Sequence, residues 1–185
     1  DYTEPGWAAS VSVARYTGIR NVTASSSAAG IEAIPGQWAS GLLPYSAVDG
    51  DMRTMWESGS LTGPVGQWLQ LSFGARRDPR VIDAAFTDST ALGPAVTRVA
   101  VTTAAGSRTD RVQVTGLPQP LRVPPGPTGW LRITVTGLAA QPQPLVGAQV
   151  GIKEIMVPGV HAGRVIVAPD VPHVRPAAVV LAKAQ

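Results

Sequence analysis

The segment Asp49-Gly-Asp-Met-Arg-Thr54 carries the side chains best suited to chemistry in this sequence. Asp49, Asp51 and Thr54 supply two carboxylates and a hydroxyl, and Gly50 permits a tight turn that points them inward together. Hard cations such as Ca²⁺ bind six to eight oxygen atoms from groups of these kinds. The glutamate of an EF-hand loop is missing, so a closing carboxylate must come from a distant part of the chain. The alternative is an ordinary surface turn with no ligand.

Other chemistries find little support in the residue types. The absence of cysteine excludes disulfides, zinc–thiolate sites and thiol catalysis. Both histidines, His161 and His173, lie in a proline-rich tail and are expected to be remote from any Ser or Asp partner. No glycine-rich phosphate loop occurs. We therefore predict that this chain is not itself an enzyme.

The composition predicts an all-β domain that holds these residues. Only 15% of the 185 residues are charged, 44% are hydrophobic, and the net charge is +3. With 20 glycines and 17 prolines, helices would be interrupted too often for an α-helical bundle. Short alternating or β-branched runs separated by turns are typical of a β-sandwich. The predicted strands cover residues 8–13, 20–26, 67–73, 81–86, 96–103, 109–115, 120–123, 130–136, 147–157 and 165–168.

Three ordered motifs resemble one family of β-sandwich domains. They are Val22-Thr-Ala-Ser-Ser-Ser27, Pro44-Tyr-Ser-Ala-Val-Asp-Gly-Asp-Met-Arg-Thr-Met-Trp56 and Gly66-Gln-Trp-Leu-Gln-Leu-Ser-Phe73. Together they resemble the opening of a coagulation factor 5/8 type C (discoidin-like) domain, and Gly151-Ile-Lys-Glu-Ile-Met-Val157 resembles its closing strand. The resemblance implies a discoidin-like jelly-roll β-sandwich of the galactose-binding type, many of whose members are carbohydrate-binding modules.

The same resemblance implies a structural calcium ion under the ligand loops. Carried over to this sequence, the side-chain ligands are Asp49, Thr54 and Glu154, with main-chain oxygens from about Ala47 and Asp51. Glu154 supplies the distant carboxylate that the local pattern lacks.

The aromatic residues divide into core and candidate ligand positions. Trp56, Trp68 and Trp130 are expected in the core. Trp38 lies in a Gly/Pro-bounded loop that corresponds to the first ligand loop of the family, so it is either a sugar platform or a loop anchor. The candidate ligand-binding residues are Trp38, Gln37, Tyr45 and Arg53, with packing favoured for Tyr45 and an ordinary solvated role for Arg53.

Arg98, Arg108 and Arg111 form the one basic grouping in the sequence. We interpret it as a solvated strand face, with an anionic cell-wall polymer as the alternative.

A wider resemblance links the chain to the cell-envelope arabinofuranosyltransferases of actinobacteria. It implies an excised, extracytoplasmic part of a membrane protein, with a glycosyltransferase as the parent. The expected partner is arabinan or arabinogalactan-type glycan, with no nucleic acid. The alternative is a scaffold that packs against other domains of the transferase without binding sugar. The predicted organisation is an N-terminal extension (1–19), the module (20–158) and a proline-rich extension or linker (159–185).

Overall fold

The computed structural model describes residues 13–29, 40–60, 62–140 and 147–167. These residues form strands joined by turns, with two short 3₁₀ helices at Ser40–Leu42 and Pro44–Ala47. The predicted all-β fold class is confirmed. The strands are β1 (Val13–Thr17), β2 (Asn21–Ala24), β3 (Trp56–Glu57), β4 (Trp68–Arg77), β5 (Val81–Phe86), β6 (Val96–Thr103), β7 (Gly106–Arg111), β8 (Gln119–Arg122), β9 (Thr128–Leu138), β10 (Gly151–Met156) and β11 (Gly163–Val167).

Two antiparallel sheets make up the sandwich. One has five strands in the order β2-β4-β9-β6-β7, and the other has four in the order β3-β10-β5-β8. Strands β1 and β11 form a separate two-stranded sheet. Tyr16–Gly163 form one compact unit, while the described residues 13–15 and 164–167 belong to another. The division at 19 and 158 made from the sequence stays a prediction.

The core lies between the inner faces of the two large sheets. Alternation along β4 and β9 points every second side chain inward, as the sequence pattern predicts. Each large apolar side chain removed from water contributes about 1.5–3 kcal/mol. The largest fully buried side chains come from both sheets and include Trp56, Leu69, Leu71, Ile82, Leu121, Leu131, Ile133 and Ile152.

The three sequence motifs meet in space at one end of the core. The indole Nε1 of Trp56 donates a hydrogen bond to the main-chain oxygen of Ser26 at 2.9 Å. The hydroxyls of Ser25 and Ser26 donate to Oε1 of the buried Gln67 at 2.7 and 2.6 Å. Buried polar groups require such partners. The first motif therefore fixes the beginnings of β3 and β4.

Two tryptophans expected in the core lie elsewhere. Trp56 is fully buried, as predicted, but Trp68 and Trp130 are half-buried. Both point to the outer side of the five-stranded sheet, because Leu69 and Leu131, their neighbours in sequence, fill the inner side. The expectation that Trp68 and Trp130 are core residues is wrong. The predicted strand at 109–115 is also displaced, since β7 begins at Gly106 and ends at Arg111.

None of the helices among the described residues is long and apolar enough to cross a membrane.

Candidate functional site

A β-bulge in β10 buries the carboxylate of Glu154. Ile152 pairs with Phe86 and Glu154 with Ala85, so β10 has one extra residue at Lys153. An extra residue breaks the alternation and re-aims the following side chain. As a result Glu154 and Ile155 are both buried, and Glu154 is only 4% exposed.

The acidic turn lies directly against this glutamate. The main-chain N–H of Gly50 donates to Oε2 of Glu154 at 3.1 Å. Gly50 has a φ of 80°, a left-handed conformation that favours glycine. Residues 104 positions apart in the sequence are thus joined.

Oxygen atoms crowd around the hydroxyl of Thr54. Its Oγ1 lies 3.1 and 3.0 Å from the two carboxylate oxygens of Asp49, 2.9 Å from the main-chain oxygen of Asp51 and 3.3 Å from that of Ser46. A hydroxyl has one proton to donate, so it cannot serve four acceptors at once. The turn therefore gathers more oxygen lone pairs than its own hydroxyl proton can satisfy.

Burial raises the pKa of Glu154 from its ordinary value of 4.5 to about 7. The hydrogen bond from Gly50 opposes this effect, and the nearby Asp49 carboxylate adds to it. Among the described residues, no lysine or arginine forms an ion pair with Asp49 or Glu154. Two adjacent carboxylates thus lie without a cationic side chain to balance them.

The side chain of Asp51 takes no part in this cluster. It turns toward solvent and forms an ion pair with Arg53, whose Nη2 lies 2.7 Å from Oδ2. The hydrogen bonds from Arg53 lower the pKa of Asp51 from 3.8 to about 2. The expectation that the Asp51 carboxylate points inward with Asp49 is wrong, because Arg53 holds it outward. Only the main-chain oxygen of Asp51 faces Thr54.

The cluster is suited to a hard cation through mixed oxygen ligands. No group of three or more His, Cys, Asp or Glu side chains that could hold a metal occurs in the described ranges. The available set is two carboxylates, one hydroxyl and main-chain oxygens, which is chemistry that Ca²⁺ accepts. Ala47 is fully buried, and the carbonyl that reaches the Thr54 hydroxyl from this part of the chain, at 3.3 Å, belongs to the preceding residue, Ser46.

A cavity of about 590 Å³ opens beside the buried glutamate. Its lining includes Asp49, Asp83, Glu154 and His161. His161 is therefore not remote from acidic residues, contrary to the expectation from its place in the sequence. Within the part of the chain that the structure describes, no hydrogen bond joins His161 to a carboxylate.

The candidate sugar-binding residues are spread over different environments. Tyr45 is half-buried, with its ring centroid 5.8 Å from that of Tyr16, so it packs as favoured from the sequence. Arg53 is exposed but engaged with Asp51. Gln37 and Trp38 lie outside the described residues. Their predicted role stays a prediction.

Sequence reasoning missed two sets of residues. The Ser46 carbonyl and the Gly50 N–H act through the main chain, which side-chain patterns do not reveal. Trp130 and Arg132 are two residues apart in an alternating stretch of β9, so their side chains lie on the same side of the strand. This spacing could have placed Trp130 on the outer side together with Arg132.

The paired sheets and the acidic turn closed by a distant glutamate define a discoidin-like, galactose-binding-like β-sandwich. The fold is shared with carbohydrate-binding modules of family 32. One is that of AlyQ, solved in complex with 4,5-unsaturated mannuronic acid, at a TM-score of 0.52 and 18% identity over 77% of this chain and 96% of that one. No protein-family model matches the sequence.

Closer similarity is found to arabinofuranosyltransferases of mycobacteria. The chain is 39% identical over 160 residues to a protein of Mycobacterium tuberculosis (strain ATCC 25618 / H37Rv) named alpha-(1->3)-arabinofuranosyltransferase. The cryo-EM structure of arabinofuranosyltransferase AftD from mycobacteria matches 88% of this chain at a TM-score of 0.76 and 29% identity. The resemblance to such a transferase, which the composition and the continuation Pro158-Gly-Val160 fit, is confirmed.

The chain corresponds to a small part of these relatives. It spans 11% of the length of the M. tuberculosis protein, while 85% of the chain is matched. It likewise covers 13% of the AftD chain.

Proposed function

We propose that this chain is a non-catalytic carbohydrate-binding module of a cell-envelope arabinofuranosyltransferase. One observation supports the proposal above all: a sequence similar to part of such a transferase has the fold of family 32 carbohydrate-binding modules. The ligand is an arabinan or arabinogalactan-type glycan on the extracytoplasmic side of the membrane. The module increases the local concentration of the polymer near a catalytic domain elsewhere in the transferase.

The proposed module contains a structural Ca²⁺. Asp49, Thr54 and Glu154 supply side-chain oxygens, and main-chain oxygens of the 46–51 turn complete the set. The crowding of acceptors around Thr54 and the unbalanced pair of carboxylates support this assignment. The ion neutralises both carboxylates and ties the turn to β10, which stiffens the end of the sandwich.

The proposed sugar site is assigned to Trp38 and Gln37 from the family resemblance, with Arg53 as a further candidate. Trp38 provides a flat ring on which the C–H face of a sugar stacks, with Gln37 donating to hydroxyls. Arg53 is exposed in the acidic turn and binds a hydroxyl or carboxylate of the glycan once its ion pair with Asp51 loosens or reorients.

An NMR titration of the full chain with arabinan oligosaccharides, in calcium and in chelator, tests this function. Wild-type protein in calcium should show saturable shifts that Trp38→Ala abolishes. Leu117→Ala is the matched control, because Leu117 is 63% exposed in a turn outside the candidate site. Absence of shifts in wild-type protein, or their survival in Trp38→Ala, contradicts the proposed site.

The second candidate function is a scaffold that packs against other domains of the transferase. The packing of Tyr45 on Tyr16 favours it, because it removes one aromatic ring from the candidate sugar platform. The absence of chemical-shift changes with neutral arabinan and galactan oligosaccharides, in a chain that is folded and stabilised by calcium, would support the scaffold function.

A further inference from the structure

An arginine lies between two tryptophans on the outer side of the five-stranded sheet. Register pairs Gln70 with Arg132, Trp68 with Thr134, and Ser72 with Trp130. We call Trp68, Gln70, Trp130 and Arg132 the outer-face cluster; all four side chains are half-buried. Thr134 and Trp130 are four residues apart on β9, so the main-chain positions of the two tryptophans are roughly 13 Å apart along the strand direction, with Arg132 between them.

The outer-face cluster holds its guanidinium in a fixed orientation. The Cζ atom of Arg132 lies 4.1 Å from the ring centroid of Trp68 and 6.0 Å from that of Trp130. Its Nε and Nη2 donate to Oε1 of Gln70 at 3.1 and 2.9 Å. Arginine has five N–H donors, so three remain for a ligand. A stacked and braced guanidinium is well prepared to bind a planar carboxylate.

The outer side of this sheet is positively charged and lacks acids. Its outward positions on β2, β4, β6, β7 and β9 include Arg132, Arg98 and Arg111 but no Asp or Glu among the described residues. Arg98 and Arg111 are directly opposite each other in register, an arrangement that like charges disfavour. None of these three arginines forms an ion pair with another described residue. An anionic ligand would relieve this imbalance.

A cavity of about 480 Å³ adjoins the outer-face cluster at its Trp130 end. Arg20 and Arg76 line it together with Trp130, Gln70 and the hydroxyl of Ser72, and its lining contains no acid. Cationic groups, an indole and neutral hydrogen-bonding groups thus surround one concave surface.

We propose that this face binds an acidic polysaccharide, a glycan whose sugars carry carboxylates. The sugar rings stack on Trp68 and Trp130, one carboxylate binds Arg132, and another enters the cavity between Arg20 and Arg76. The inference rests on the proposed function only for the class of ligand, a glycan. It places that ligand on the outer side of the five-stranded sheet, away from the turn that is proposed to bind calcium.

Isothermal titration of the full chain with a short α-1,4-linked oligogalacturonate tests the proposal. The fully methyl-esterified oligomer serves as the matched probe, because it has the same backbone without charge. Binding of the free acid should weaken at least about tenfold on esterification and should fall with added salt. Equal affinity for acid and ester, or no binding of the acid, overturns the proposal.

Variants locate the binding on the outer face. Arg132→Ala and Trp130→Ala should each weaken binding about tenfold, and Arg76→Ala, at an exposed position of β4, should weaken it without disturbing the fold. Arg80→Ala is the matched control, since Arg80 is exposed next to β5 of the other sheet and loses the same charge. An equal loss in Arg80→Ala overturns the assignment of the site. So does tighter binding of a single-stranded oligonucleotide than of oligogalacturonate, which would make this a nucleic-acid surface.

The two sites can fail separately. Arabinan titrations report on Trp38, and calcium-dependent stability reports on the acidic turn. The outer-face variants should change neither arabinan binding nor the stabilisation by calcium. Loss of oligogalacturonate binding with intact arabinan binding, or the reverse, therefore shows which proposal is wrong.

Discussion

Replacing Glu154 by glutamine tests the physical basis of the candidate site. Glutamine keeps the size of the side chain and an oxygen that can accept the N–H of Gly50, but it carries no charge. The variant therefore removes the buried charge alone. In wild-type protein without metal, that charge lies on a residue only 4% exposed beside Asp49, and it forms as the pH rises through the folded pKa of about 7.

The magnitude follows from the raised pKa. Below about pH 4.5 Glu154 is protonated in both folded and unfolded chains, and above its folded pKa of about 7 it is ionised in both. The folded state holds the proton longer, so the free energy of unfolding of metal-free protein falls as pH rises from 4.5 to 7. At 1.36 kcal/mol for each pKa unit, the loss is about 3 kcal/mol. Glu154→Gln should lack this loss.

Urea denaturation of both proteins at about pH 4 and about pH 8 measures the effect. In chelator, the variant should gain about 3 kcal/mol relative to wild type between the two pH values. In calcium at pH 8 wild type should be stabilised, by about 4 kcal/mol at a thousandfold excess over Kd, and the variant much less. Identical pH dependence of the two proteins in chelator refutes the burial argument, and equal stabilisation by calcium refutes the role of Glu154 as a ligand.

Three further predictions concern the turn and the core. Asp49→Ala should abolish most of the calcium-dependent rise in melting temperature, whereas Asp51→Ala, whose carboxylate points outward, should keep most of it; equal losses would contradict the geometry. Arg53→Ala removes the guanidinium but keeps the main-chain N–H, so it should raise the pKa of Asp51 from about 2 part of the way toward 3.8 in an NMR pH titration, and an unchanged value would show that the side-chain hydrogen bonds are not its cause. Leu131→Ala should lower the free energy of unfolding by about 2–5 kcal/mol, while Leu117→Ala changes it by less than about 0.5 kcal/mol. Similar losses for both leucines would contradict the assigned core.

The fold could be predicted because its signals are local. Alternation of Leu131 and Ile133 with Arg132 fixes which side of β9 faces the core whatever the strand pairs with. Glycine and proline frequencies exclude long helices in the same local way. The ordered motifs around Ser26 and Trp56 added the resemblance to a discoidin-like fold, and the Trp56 indole does donate a hydrogen bond to the main-chain oxygen of Ser26.

The positions of charged and aromatic groups were harder to predict, because they depend on partners. A pattern of Asp-Gly-Asp does not show that Arg53 draws Asp51 outward while Asp49 turns inward. Burial of Trp68 was expected because the family resemblance places it at a buried position, but in this structure Trp68 lies on the outer side of the sheet against Arg132.

The sequence by itself determined an all-β sandwich and the inward and outward sides of its strands, and it predicted an oxygen-rich turn around Asp49 and Thr54. Each of these depends on the order and alternation of neighbouring residues. Only the tertiary structure decided that a bulge at Lys153 buries Glu154 against Gly50, and that two tryptophans flank one arginine. Strand register and bulges are set by packing across the whole sandwich, so groups 104 and 62 residues apart acquire their chemistry only when the chain has folded.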